Sequence, residues 1–158
     1  MFDTFFGLPM HPLIVHATEV VVPTAALVLL IAAVWPRFRR WAKLLPLGLT
    51  LAALVLVPLS TESGEALEHR IGESSLIDTH ADLAEGLLPW VIAMVVVAAV
   101  LLLWNLRKTP NTGASKWVAV VLMVAALGAS TGTIVQAIVI GHSGATAVWS
   151  GDMGTPTN

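Results

Sequence analysis

Leu83–Trp104, LAEGLLPWVIAMVVVAAVLLLW, decides the fold. Past Glu85 it contains no ionisable side chain, and at 1.5 Å of rise per helical residue it reaches across a hydrocarbon layer of about 30 Å. Three other stretches repeat the pattern: about Pro12–Trp35, Leu44–Ser60 and Trp117–Ile140. The second is the shortest, and its helix can continue through Glu62–Arg70 outside the lipid. Across all 158 residues, 56% are hydrophobic and 11% charged, with a mean hydropathy of +0.84. A soluble domain is about 25% charged, so too little polar surface exists to keep a globule in solution. A disordered chain, a nucleic-acid binder and a soluble enzyme are excluded together, and an integral membrane protein remains. The chain has no Cys and no Tyr. Thiolate metal sites, iron–sulfur clusters, disulfides and phenol chemistry are therefore closed to it.

Charge placement gives the expected topology. Arg37, Arg39, Arg40 and Lys43 fall in the first connection, and Arg107, Lys108 and Lys116 in the third; only Arg70 falls in the second. The positive-inside rule makes the first and third connections cytoplasmic, with both termini and the Ser60–Asp82 connection outside. Trp35, Trp41, Trp104 and Trp117 cluster at the same inner interface, where indoles prefer to sit. The tail Met1–Met10 carries Asp3 and no basic residue, so the first span is expected to be kept rather than cleaved as a leader. Short connections favour an antiparallel bundle. The expectation is an all-α, single four-helix transmembrane domain over residues 1–158, with spans at about 12–35, 44–60, 83–104 and 117–140 and an extracytoplasmic loop at 61–82. No internal repeat or low-complexity segment is evident, and the tail Gly151–Asn158 reads as frayed. Gly128-Ala-Ser-Thr-Gly132 is a small-xxx-small step that admits a neighbouring helix or a flat ligand.

All five His fall in the outer half: His11, His16, His69, His80 and His142. In an up-down bundle the helix ends that carry them meet at similar heights. His11 and His16 stand roughly 140° apart around a helix, so only one can face the interior. With Pro12 in the first helical turn, His11 reads as the cap and His16 as the inward residue. His69 shares a face with Glu62 and Glu65 and reads as part of a solvated acidic patch. His16, His80 and His142 form the expected core-facing set. Glu19, one turn deeper than His16, and Glu85 are carboxylates of the kind membranes tolerate beside a partner or a wet cavity.

Three groups of residues occur in order: His11-Pro12-Leu13-Ile14-Val15-His16; then Ser63-Gly64-Glu65-Ala66-Leu67 with His80-Ala81-Asp82-Leu83-Ala84-Glu85; then Gly141-His142-Ser143-Gly144 with Val148-Trp149 and Gly151. Over roughly Gly7 to Gly151 the chain resembles bacterial membrane proteins of domain-of-unknown-function family 2231. The resemblance implies a four-helix protein of the bacterial cytoplasmic (inner) membrane. Some relatives are joined to Rieske-type iron–sulfur domains, which implies a redox neighbourhood; this chain, without Cys, needs an external redox partner. Many members carry Phe-Pro after the second motif His, where this chain has Ala17-Thr18-Glu19, so the family pattern lends Glu19 no role.

Three functions remain in view. One is a b-type haem redox or electron-transfer subunit at the extracytoplasmic face, with His16, His80 and His142 as ligands and Gly128 and Gly132 leaving room for the porphyrin. No His lies on the cytoplasmic side, so a second haem has no ligands and the chain is expected to be a subunit or carrier rather than a stand-alone enzyme. Another is a non-catalytic accessory or assembly subunit of a respiratory membrane complex. The third is a zinc or copper site built by His16, His80, His142 and Glu19. The expected partners are the lipid bilayer and other membrane redox subunits, not nucleic acid.

Overall fold

The computed structural model describes residues 4–72, 74–107 and 113–150. Asp3, Lys108 and the tail Gly151–Asn158 lie outside them. Within the described residues the chain forms a short β-pair, β1 (Thr4–Phe5) and β2 (Leu8–Pro9), and six helices. These are α1 (Met10–Val34), α2 (Pro36–Ala42), α3 (Leu45–Ile71), α4 (Ser75–Glu85), α5 (Leu87–Leu106) and α6 (Gly113–Trp149). The chain is helical, as its hydropathy implies, and four helical stretches are long and apolar enough to cross a membrane: α1, α3, α4 with α5, and most of α6.

The packing rests on a repeat of alternating four- and three-residue steps. In α1 the inward positions are Thr18, Val22, Ala25, Leu29 and Ala32; in α5 they are Leu87, Val91, Met94, Ala98 and Leu101. In α3 they are Pro46, Thr50, Ala53 and Val57, and in α6 Leu122, Ala126, Ala129 and Thr133. A mean period of 3.5 keeps one stripe turned toward the bundle axis, the pattern of a left-handed coiled-coil seam. The helices stand as a square in which α1 and α5 each pack against both α3 and α6, leaving α1 diagonal to α5.

Residue size is inverted relative to a water-soluble bundle. Ala25, Ala26, Ala32, Ala53, Ala98, Ala126 and Ala129 line the interior, while Leu27, Val55, Val96, Leu103, Val124 and Ile138 face outward. Lipid tails are as apolar as Leu, so sequestering large apolar side chains gains little; small residues instead let the backbones approach and gain dispersion contacts. Most hydroxyls within the apolar layer are satisfied locally, the buried Ser130 hydroxyl being without a partner. Thr18 donates to Ile14 O, Thr24 to Val20 O and Thr133 to Ala129 O, and Thr61 donates to Pro58 O at 2.9 Å.

Several boundaries differ from the sequence expectation, and they matter at one end. α1 begins at Met10, with Pro9 at the cap position, because Phe6 and Gly7 (φ 50° and 81°) turn the chain back on itself just before it. Two consecutive left-handed residues make the tight reversal of a two-residue hairpin, which glycine accepts freely. Within the connection 61–82, the expected continuation of the second helix through Glu62–Arg70 is present, and a further helix follows it. α3 continues to Ile71 and stops at Gly72 (φ 90°), and α4 starts where the Ser74 hydroxyl accepts from Ile77 N. α4 and α5 are separate helices joined at Gly86, and α6 runs past Ile140 to Trp149.

Candidate functional site

The extensions of α1, α3, α4 and α6 build a polar layer at one end of the bundle, beyond the apolar seam. Following each seam into that layer identifies its inward residues. In α1 the stripe continues back from Thr18 through Val15 to His11, which is half-buried. His16 falls off the stripe and is exposed, its Nδ1 donating to Pro12 O of its own helix. In α6 the stripe continues from Thr133 through Gln136, Ile140 and Ser143, and His142 faces outward.

His11 and His80 are held by matching clips. The His11 Nδ1 lies 3.1 Å from Ser60 O and 3.2 Å from Ser63 Oγ. The Ser63 side chain is buried, and its hydroxyl donates to Ser60 O at 2.9 Å. Carbonyl oxygens only accept, so the His11 Nδ1 carries the proton. On the other side of the bundle the His80 Nδ1 lies 2.9 Å from Ser143 Oγ, whose hydroxyl donates to Ile140 O at 2.9 Å. With its hydrogen committed to that carbonyl, Ser143 accepts from His80. Both neutral imidazoles are thereby fixed as the same tautomer, with the lone pair on Nε2 left available to a ligand.

A glycine follows each serine, and the imidazole occupies the space it leaves. A Cβ on Gly64 would stand 3.1 Å from His11 Cε1, and one on Gly144 would stand 2.9 Å from His80 Cε1. Each clip is thus a His on one helix and a Ser-Gly pair on its neighbour, α3 for His11 and α6 for His80. One further tie holds the His80 segment in place: Gln136 Nε2 donates to Leu83 O at 2.6 Å, beside Gly86. The helix break at Gly86 frees carbonyls of α4, and the Gln136 amide satisfies this one.

Of the residues expected to form the site, only His80 takes its place in this layer. His16, His142, Glu19 and Glu85 are exposed, as is His69. The expected His16–His80–His142 set therefore does not assemble, because the helix phase carried up from the apolar seam turns the first and third of these outward. The metal quartet with Glu19 fails for the same reason, and among the described residues no group of three or more His, Asp or Glu is placed to hold a metal ion. Of the two glycines expected to leave room for a porphyrin, Gly132 is covered by the Trp90 ring, while Gly128 is exposed with nothing within 4 Å. His11, Ser63 and Ser143 were not expected as site residues. For His11 and Ser143 the signal is the repeat itself, which can be counted back from Thr18 to His11 and forward from Thr133 to Ser143; Ser63 falls off the α3 repeat and has no such signal.

No curated protein and no solved structure matches the chain. Residues 7–157 match the family model described as predicted membrane protein (DUF2231). The chain belongs to that family.

Proposed function

We propose that this protein is an electron-transfer subunit of a bacterial inner membrane, holding a b-type haem between His11 and His80 at the extracytoplasmic end of the bundle. The observation that carries the reading is the pair of imidazoles on diagonal spans, each with Nδ1 committed to a buried or half-buried serine. Two neutral imidazoles are a complete axial set for haem, whereas a catalytic zinc site asks for three protein ligands. Bound there, haem would cycle between ferric and ferrous iron by one electron, exchanged with a separate membrane redox protein. The chain's own part is to set ligand orientation through Ser63 and Ser143, and ligand depth through Gly64 and Gly144.

The test is the visible spectrum of the full chain, purified in detergent from haem-replete cells, before and after reduction with dithionite. The expected result is a Soret band with sharp reduced α and β bands, abolished in His11→Ala and in His80→Ala and retained in His16→Ala and His142→Ala. A colourless wild-type protein that co-purifies with a respiratory complex would overturn haem binding in favour of an accessory role. A spectrum that survives in the His11→Ala/His80→Ala double variant would overturn the ligand assignment.

A further inference from the structure

The opposite end of the bundle carries its own arrangement, unrelated to the imidazole pair. A groove of about 520 Å³ lies between the α2–α3 junction and the last turn of α5, lined by Arg40, Lys43, Leu44, Leu102, Asn105 and Leu106. Two cations and an amide stand beside apolar walls, and no carboxylate is available to neutralise them. In the sequence no Asp or Glu occurs between Glu19 and Glu62, nor between Glu85 and Asp152.

The neighbouring cation is used differently. Arg39 Nη1 donates to Ala32 O at 3.1 Å and Ala33 O at 3.4 Å, closing the end of α1. Burial, followed by the Arg40 charge, lowers its pKa from the ordinary arginine value. Arg39 is a structural staple, and Arg40 and Lys43 are left facing out.

Two observations set the depth and the cost of this groove. Trp35, Phe38 and Trp41 form an aromatic ladder along α2, with ring centroids 6.3 and 5.7 Å apart. Trp41 is 74% exposed and Trp35 55%, as expected for indoles at headgroup level. Lys43 itself sits at φ 45°, a conformation that glycine adopts freely and a lysine adopts only under strain. The site keeps an ammonium group where the backbone favours Gly.

From this charge complementarity we infer that the groove binds one anionic glycerophospholipid. Its phosphate is held by Arg40, Lys43 and the Asn105 amide, and an acyl chain lies along Leu102 and Leu106. Basic pockets between spans at headgroup depth recognise such lipids through the phosphate charge.

The experiment is native mass spectrometry of the full chain released from nanodiscs containing equal phosphatidylglycerol and phosphatidylcholine. The wild type is expected to retain one phosphatidylglycerol over phosphatidylcholine by at least about tenfold, the scale set by two surface cations. Arg40→Gln/Lys43→Gln should abolish that preference, while Arg37→Gln, outside the groove, should keep it. Lys43→Gly separates binding from folding: it should weaken lipid retention while raising the thermal midpoint. Equal loss in Arg37→Gln would mean a diffuse positive surface and overturn the site. Equal retention of the two lipids, or displacement of the bound lipid by millimolar inorganic phosphate, would overturn it as well.

Discussion

Adding one methyl group at Gly144 tests the clip architecture directly. A Cβ there would lie 2.9 Å from His80 Cε1 and 3.3 Å from Nδ1, against an ordinary carbon–carbon contact of roughly 3.5–4.0 Å. The ring must retreat by more than half an ångström, which stretches the 2.9 Å contact to Ser143 Oγ past hydrogen-bonding range. Overpacking costs about 1–3 kcal/mol, and the lost hydrogen bond adds about 1 kcal/mol. Replacing a mid-helix glycine by alanine returns about 1 kcal/mol. The net for Gly144→Ala is a destabilisation of about 1–3 kcal/mol. Gly128→Ala and Gly141→Ala meet nothing within 4 Å, so they keep the propensity gain and should stabilise. Thermal unfolding in detergent, followed by the helical circular dichroism signal, separates the two signs. On the scale of about 2–4 °C per kcal/mol for a chain of this size, the variants should part by several degrees. If Gly144→Ala melts with Gly128→Ala, the imidazole does not occupy the glycine's space and the clip is wrong.

Gly132→Ala should be the most damaging of the glycine substitutions, since its Cβ would fall 2.3–2.7 Å from three carbons of Trp90; adding Trp90→Ala should recover part of the lost thermal midpoint, and additive losses would refute the contact. Gln136→Leu removes the partner of Leu83 O and should cost about 1–3 kcal/mol in the same assay, whereas Gln136→Glu, which has no amide hydrogen to donate when ionised, should not rescue it. If His11 and His80 ligate haem, Ser143→Ala should leave the spectrum in place but raise the reduction potential by about 30–60 mV in a redox titration, because an imidazole whose Nδ1–H loses its acceptor donates less charge to iron. An unchanged potential would remove Ser143 from the role of orienting group.

The four spans and the bundle were legible because each needs only a long run without charge, and runs such as Leu87–Trp104 leave no competing reading. The site was harder for a physical reason. Which His turns inward depends on helix phase, and the local signal of Pro12 as a first-turn residue does not fix that phase. In the folded chain it is set much farther away, by Thr18, Val22, Ala25, Leu29 and Ala32 packing against α3 and α6. Counting back in four- and three-residue steps from Thr18 reaches His11 and misses His16. The polar residues after Ile140 suggested that α6 ended there, yet Ser143 and Thr146 donate to carbonyls of their own helix and let it continue to Trp149. The occupant of the space at Gly132 was not readable from the helix that carries it, since Trp90 approaches from α5.

The break at Gly86 divides the third span into a lower rod and an upper arm, and His80 rides on the arm. A continuous rod would hold that ring at one separation from His11, whatever came between them. Turning a few backbone angles near Gly86 would shift that separation, against the Gln136 amide, the His80–Ser143 hydrogen bond and the packing of α4 on α6. Any change in the gauge of the gap would therefore have to release ties supplied by α6, a different helix from either jaw.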